Sequence, residues 1–137
     1  ALLDNGIPFD KQLIIEGNVN KQHGYNAVKE LLHLDSPPTG IITQNDIIAS
    51  GALLAIEDSG KNVPEDIAIV GYDNTELANV TRPTLTSIAQ PNYEIGHLSA
   101  ELLIKRIENP EECQEKEDKI ILQPRLVIRE SSIIQKR

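Results

Sequence analysis

Residues Ile67 to Leu77 read IAIVGYDNTEL. Their uncharged opening, Ile67 to Val70, is continuous rather than alternating, the pattern of a parallel strand covered on both faces. It runs through Gly71 and Tyr72 into a carboxylate, Asp73. A charge beside a core is costly unless something pairs with it. Asp73 therefore either caps the next helix or waits for a ligand.

The flanking sequence repeats the strand-then-helix pattern. Leu13-Ile14-Ile15 is a short strand candidate ended by Gly17, and Leu2-Leu3 before Asn5-Gly6 reads as the tail of a helix. Tyr25, Val28, Leu31 and Leu32 fall at helical spacing between Lys21 and Leu34, where Ser36-Pro37-Pro38 stops the helix. Gly40 to Thr43 is a second strand candidate. Asp46 then stands as the expected N-cap of a helix from Ile47 to Ser59, since its side chain can accept from free N–H groups of the first turn. Ile48, Leu53, Leu54 and Ile56 spread over more than one side of that helix, enough to face a sheet and a partner chain. Three such steps predict an α/β fold with a doubly wound, mainly parallel sheet.

Beyond Asp73 the pattern changes. Thr75 to Val80 has room for one or two helical turns, and Arg82-Pro83 forces extension. Leu85 to Ala89 reads as a strand, and Tyr93 to Ile107 as an amphipathic helix carrying Ile95, Leu98 and Leu102. Pro110 to Lys119 is an acidic, solvated loop. Ile120 to Ile128 alternates loosely around Pro124, as an edge strand or two short strands would, and Ser131 to Arg137 reads as a frayed tail.

Composition narrows the function classes. The 137 residues suffice for one domain with a real core, at 39% hydrophobic and 25% charged. A net charge of −8 opposes direct contact with phosphate backbones. The lone cysteine, Cys113, excludes an internal disulfide and fits a reducing, cytoplasmic setting. No stretch approaches the ~20 apolar residues of a membrane span. His23, His33 and His97 lack metal-ligand spacing, so neither a metal nor a cofactor is expected. No nucleophile elbow, dinucleotide fingerprint or Walker A loop follows any strand, which counts against an enzyme.

In open α/β sheets, ligands sit beyond the carboxyl ends of the parallel strands. The three strand candidates lead to Asn18, to Gln44-Asn45-Asp46 and to Asp73-Asn74. Amide and carboxylate groups converging on one sheet edge suit a small ligand rich in hydroxyls, such as a sugar or nucleoside. The alternative is that these residues only cap helices and form turns, as Asn and Asp commonly do. Asp46 is assigned to capping on that ground, whereas Asn45 and Asp73 sit one step earlier, at the strand tips.

Four stretches carry a resemblance: EGNVNKQHGY (Glu16–Tyr25), PTGIITQNDIIASGALLAIEDSGKNVPEDIAIVGYDN (Pro38–Asn74), RPTLTSIAQP (Arg82–Pro91) and PRLVIRES (Pro124–Ser131). In this order and spacing, they resemble the C-terminal part of the lactose-repressor/galactose-repressor (LacI/GalR) family of bacterial transcriptional regulators. The resemblance implies a periplasmic-binding-protein-like fold of two α/β lobes, with the ligand in the cleft between them. On it, residues 1–90 are a partial C-terminal effector-binding lobe. Residues 91–119 are a hinge crossing, a helix of the other lobe and the acidic loop, and residues 120–137 are a returning strand and tail. The first lobe, the first strand of the second and the DNA-reading helix-turn-helix have no counterpart in the chain.

Matched position by position, the resemblance implies that Asp73 binds ligand hydroxyls, that Asn45 is a polar cleft position and that Gln90 is a hinge-crossing residue within reach of the ligand. Val19 falls where several members place an aromatic that stacks on the ligand, which valine cannot do. The implied homodimer contacts are Ile48, Ala52, Leu53, Ile56, Glu76, Val80 and Pro83. The resemblance also implies a missing strand between Leu13–Ile15 and Gly40–Thr43. Unpaired edges invite pairing with another chain, so a new pairing or an exchange with a second copy is expected. A cleft lacking one wall is expected to bind effector poorly. The function expected is therefore the effector-binding and dimerisation portion of a ligand-responsive repressor of sugar or nucleoside metabolism, whose effector is a sugar, phosphosugar or nucleobase and which reaches operator DNA through a region outside this chain. The alternatives are a sugar-binding protein that serves a transporter and an α/β enzyme of the nucleotide-binding type.

Overall fold

The computed structural model describes residues 2–110 and 119–133. In chain order the elements are α1 (Lys21–Leu31), β1 (Gly40–Ile42), α2 (Asp46–Asp58), β2 (Ala68–Tyr72), α3 (Leu77–Val80), β3 (Thr86–Ala89), α4 (Asn92–Glu108) and β4 (Arg125–Val127). They build one four-stranded mixed sheet in the order β1-β2-β3-β4. The first three strands are parallel, in the register Ile41↔Ile69 and Val70↔Thr86, and β4 runs antiparallel to β3 with Ser87 opposite Val127.

Side chains alternate across a strand, so register decides which face each residue serves. Ile41, Ile69, Gly71 and Ser87 share the face on which α2 lies, whereas Ile42, Val70, Tyr72 and Ile88 share the other. The first face carries the core: Ile69 and Ile56 are fully buried, with Val28, Ile67 and Leu85 packed around them. Burying each such side chain contributes about 1.5–3 kcal/mol. On the second face Ile42 is 82% exposed.

Two glycines let the helices approach closely. A Cβ on Gly51 would lie 1.9 Å from the carbonyl oxygen of Lys21, and one on Gly24 would lie 2.1 Å from that of Ile48. The α1–α2 contact is thus backbone against backbone at two points. The far end is tied by Tyr25, whose hydroxyl donates to Asp58 (2.9 Å). That bond to a carboxylate raises the Tyr25 pKa above its ordinary value.

The structure departs from the sequence expectations at several places. Leu13–Ile15 is not a strand: Lys11–Leu13 forms a 3-10 turn capped by Asp10, and Ile14 continues extended without joining the sheet. The opening Leu2-Leu3 leads into a 3-10 turn, Leu3–Asn5, not the end of an α-helix. Among the described residues no new pairing closes the edge of β1, which is an outer strand bonded to β2 alone. A groove of about 560 Å³ remains there, lined by Leu13, Ile15, Ala27, Ile41, Ile48 and others.

Ile56 and Ala52, expected at a dimer interface, are 0% and 1% exposed within the single chain, and Ile48 and Leu53 are also buried. Their side of α2 is spent on the core and on α1; the outward residues are Ile47, Ser50 and Leu54, beside the exposed Val80. Ser131, expected in a frayed tail, is fully buried in a 3-10 turn, Glu130–Ser132. Its hydroxyl donates to the carbonyl of Ile69 and accepts from the amide of Thr86. The acidic residues 111–118, including Cys113, and residues 134–137 lie outside the described residues.

Helix α4 follows the returning segment: a groove of about 550 Å³ runs between Ile95, Leu98 and Leu102 and Ile120 to Leu122. None of its residues is fully buried, and Tyr93 and Ile107 are strongly exposed.

Replacing Gly51 by Ala is expected to destabilise the chain by about 1–3 kcal/mol in urea unfolding, because the clash with Lys21 outweighs the gain in helix propensity. An unchanged midpoint contradicts the packing described. A second expectation concerns Glu130, whose carboxylate accepts from the Thr84 amide and hydroxyl, both at 2.8 Å. Those bonds, the backbone one foremost, hold its pKa below the ordinary value. A depressed pKa means stability that is present above the unfolded-state value and lost as pH falls through the folded one. Glu130→Gln should therefore be less stable than wild type near pH 7, with the gap closing as pH falls below the ordinary carboxylate range and through the lowered folded-state value. A gap that widens on acidification contradicts this sign.

Candidate functional site

The carboxyl ends of β1, β2 and β3 deliver three polar segments to one edge of the sheet: Thr43-Gln44-Asn45, Asp73-Asn74-Thr75 and Gln90. Parallel pairing makes this unavoidable, since neighbouring strands that run the same way end on the same side.

Asp73 and Gln90 meet directly. The Gln90 side-chain amide donates to Asp73 Oδ1 at 2.7 Å, and the Asp73 backbone amide donates to Ile88 O at 2.9 Å. Among the described residues, Asp73 Oδ2 and Gln90 Oε1 accept no hydrogen bond. Both residues are half-buried, so these oxygens are reachable from solvent.

The capping role expected of Asp46 falls to Asn45. Asn45, not Asp46, is the N-cap of α2: its Oδ1 accepts from the Ile48 amide at 3.0 Å. Its amide nitrogen is unspent among the described residues, so a ligand contact stays open to it. Asp46 is the first residue of α2 and is 0% exposed. Its Oδ2 accepts from the Thr75 amide (2.6 Å) and hydroxyl (2.9 Å), and its Oδ1 from the Ser87 hydroxyl (2.6 Å). One carboxylate thus ties the start of α2 to the loop after β2 and to the middle of β3. Gly71 makes room for it, because a Cβ there would lie 2.4 Å from Asp46 Oδ1.

The loop after β2 is unusual. Asp73 and Asn74 have φ of +94° and +50°, a backbone region that L-residues rarely adopt but that Asp and Asn tolerate better than most. It is held from several sides. Ser87 Oγ accepts from the Asn74 amide (3.0 Å), and Arg129 donates to Asn74 Oδ1 and to Leu85 O, both at 2.8 Å. Ser87, Thr75 and Arg129 were not among the sequence candidates. Arg129 lies within the PRLVIRES stretch, but its partner is 55 positions away.

Val19 takes no part in these hydrogen bonds. It is 53% exposed in the turn before α1, whose own N-cap is Asn20, accepting from the His23 amide at 2.8 Å. No group of His, Cys, Asp and Glu among the described residues has metal-binding geometry.

Comparison with known proteins places this geometry. The periplasmic binding protein-like domain family matches residues 1–132. The ribose operon repressor of Haemophilus influenzae is 37% identical over 131 residues, which is 96% of this chain and 39% of that protein. The HTH-type transcriptional repressor CytR of Escherichia coli is 41% identical over 108 residues, covering 79% of this chain and 32% of its own length. The chain therefore spans about a third to two fifths of the curated relatives it matches.

Among solved structures, the transcriptional regulator CelR–cellobiose complex superposes with a TM-score of 0.87 at 32% identity, over 96% of this chain and 39% of that one. A LacI-family transcriptional regulator from Enterococcus faecium with bound ribose gives a TM-score of 0.83 at 38% identity, over 98% of this chain and 48% of that one. By the matched domain and by these relatives, the chain belongs to the periplasmic binding protein-like domain family, in its LacI-type regulator branch.

Proposed function

We propose that the chain is the effector-binding and dimerisation portion of a ligand-responsive transcriptional repressor and not an enzyme, and that its effector is a sugar or nucleoside. The observation that carries this reading is the set of unspent polar atoms at the strand ends. Asp73 Oδ2 and Gln90 Oε1 accept, Asn45 Nδ2 donates, and all three residues are partly exposed. An acceptor-rich pair beside an amide donor suits vicinal hydroxyls, which both donate and accept. The similar regulators with bound ribose and cellobiose support a polyol over a charged nucleotide.

Residues 1–90 then form one wall of the cleft, and the chain from Gln90 into α4 crosses the hinge. The exposed apolar side of α4 belongs with a second lobe, and residues 120–137 return from it. Val19 presents an apolar surface to the cleft in place of a stacking ring. Effector that prefers the closed cleft shifts the lobe equilibrium by its difference in affinity for the two states, and that shift alters operator binding by DNA-reading heads outside this chain. The dimer partner is a second copy. It meets the outward side of α2 at Ile47, Ser50 and Leu54 together with Glu76, Val80 and Pro83, beside a groove of about 500 Å³.

Titrating the ¹⁵N-labelled chain with ribose, cellobiose and adenosine tests this reading, since amide shifts register even weak binding. One of these is expected to move the signals of Asn45, Asp73, Asn74 and Gln90 selectively. Asp73→Ala should weaken that response about tenfold or more, the worth of a hydrogen bond to a charged group. Shifts confined to other surfaces, or a response indifferent to Asp73→Ala, contradict it.

A further inference from the structure

We infer that Asp46, which on this reading touches no ligand, is a positioning residue for the ligand site: it sets the backbone geometry that presents Asp73. This inference rests on the effector reading above. Three observations carry it. The Asp46 carboxylate is completely buried, and all its partners are donors: the Thr75 amide and hydroxyl on one oxygen and the Ser87 hydroxyl on the other. Thr75 directly follows Asp73 and Asn74, the described residues other than glycine with positive φ. Ser87 passes the constraint on, since the oxygen that donates to Asp46 also accepts from the Asn74 amide.

Local propensity does not place two successive residues in left-handed geometry. Something outside the loop must hold them, and strain of this kind persists only where the surroundings over-determine it. Asp46 supplies the fixed point because it is anchored as the first residue of α2 and packed against Gly71, where no side chain intervenes. If the loop relaxed to negative φ, the Asp73 carboxylate would swing away from Gln90, and the pair that faces the ligand would come apart. Asn in place of Asp46 is a weaker anchor. It carries no charge, and if its one oxygen keeps the Thr75 amide and hydroxyl, its NH₂ faces Ser87, whose hydroxyl must turn from donor to acceptor.

The test compares wild type, Asp46→Asn, Asp46→Asn/Asn74→Gly and Ser87→Ala by NMR. The first readout needs no ligand: positive φ gives a strong intraresidue amide–Hα cross-peak at residues 73 and 74. The second is the response to ribose. In Asp46→Asn the cross-peaks should weaken and ribose affinity fall at least tenfold, while the signals of β1 and α1 stay in place. Glycine at position 74 adopts positive φ freely but gives up the Arg129 bond to the Asn74 side chain, so the double variant should regain part of the lost affinity, about threefold or more over Asp46→Asn. A residue needed only for stability would not be rescued this way. Should Asp46→Asn fail to fold, Ser87→Ala carries the test, with a weaker cross-peak at Asn74 and an affinity loss of about threefold or more expected.

Unchanged cross-peaks and affinity in the variants that fold overturn the inference, as does a loss of affinity that glycine at 74 leaves unrepaired. If wild type binds no ribose or other sugar, the effector reading fails instead, and the cross-peaks alone decide the role of Asp46.

Discussion

A single buried carboxylate organises the functional end of this molecule. Asp46 has no exposure and accepts three hydrogen bonds from two segments that are 29 and 41 positions away. Hydrogen bonds to a charged group contribute about 1.5–3 kcal/mol each, and a buried charge stripped of them is strongly destabilising. The strand ends therefore cannot drift apart independently. The parallel register of β1, β2 and β3 brings their tips to one edge, and Asp46 fixes how those tips sit against one another. Gly71 is part of the same arrangement, for only a residue without Cβ leaves room for the carboxylate at the end of β2.

From this fixed point the rest of the site follows. The loop after β2 is held in left-handed geometry, Asp73 turns towards Gln90, and each keeps one side-chain oxygen without a hydrogen bond among the described residues. The last described turn joins the same construction from the far side. Arg129 holds Asn74, and Ser131 bridges β2 and β3 by bonding Ile69 and Thr86. The segment that returns after α4 is thus tied to the loop after β2 by direct hydrogen bonds.

Much of this was legible in the residues. The uncharged run Ile67–Val70, the helical spacing of Val28 and Leu31, and the Arg82-Pro83 break give β2, α1 and the gap before β3 because each rests on local periodicity or backbone restriction. The resemblance named Asp73 and Gln90 separately; the hydrogen bond that joins them is seen only in the structure. What was not legible depended on distant partners. Asn45 and Asp46 are both good capping types; Asn45 caps α2 while Asp46 is engaged by Thr75 and Ser87, which no local pattern connects to it. Leu13–Ile15 has the composition of a strand but no neighbour to pair with, and composition alone does not supply a ladder. Ile56 and Ala52 lie on a helix apolar nearly all round, where the sequence does not say which side the core takes. Ser131 looked like tail because its burial comes from a hydroxyl bridging groups 45 and 62 positions away.

Amide hydrogen exchange at Thr75 measures the central constraint most directly. Thr75 is surface-exposed as a residue, yet its N–H donates to the fully buried Asp46 at 2.6 Å. If that carboxylate anchors the ligand loop, the Thr75 amide should exchange as slowly as the β2 amides of Val70 and Gly71 and be released with them in one cooperative opening. Exchange as fast as that of the neighbouring Glu76 would mean that the loop moves freely of Asp46, and the account built on it would not stand.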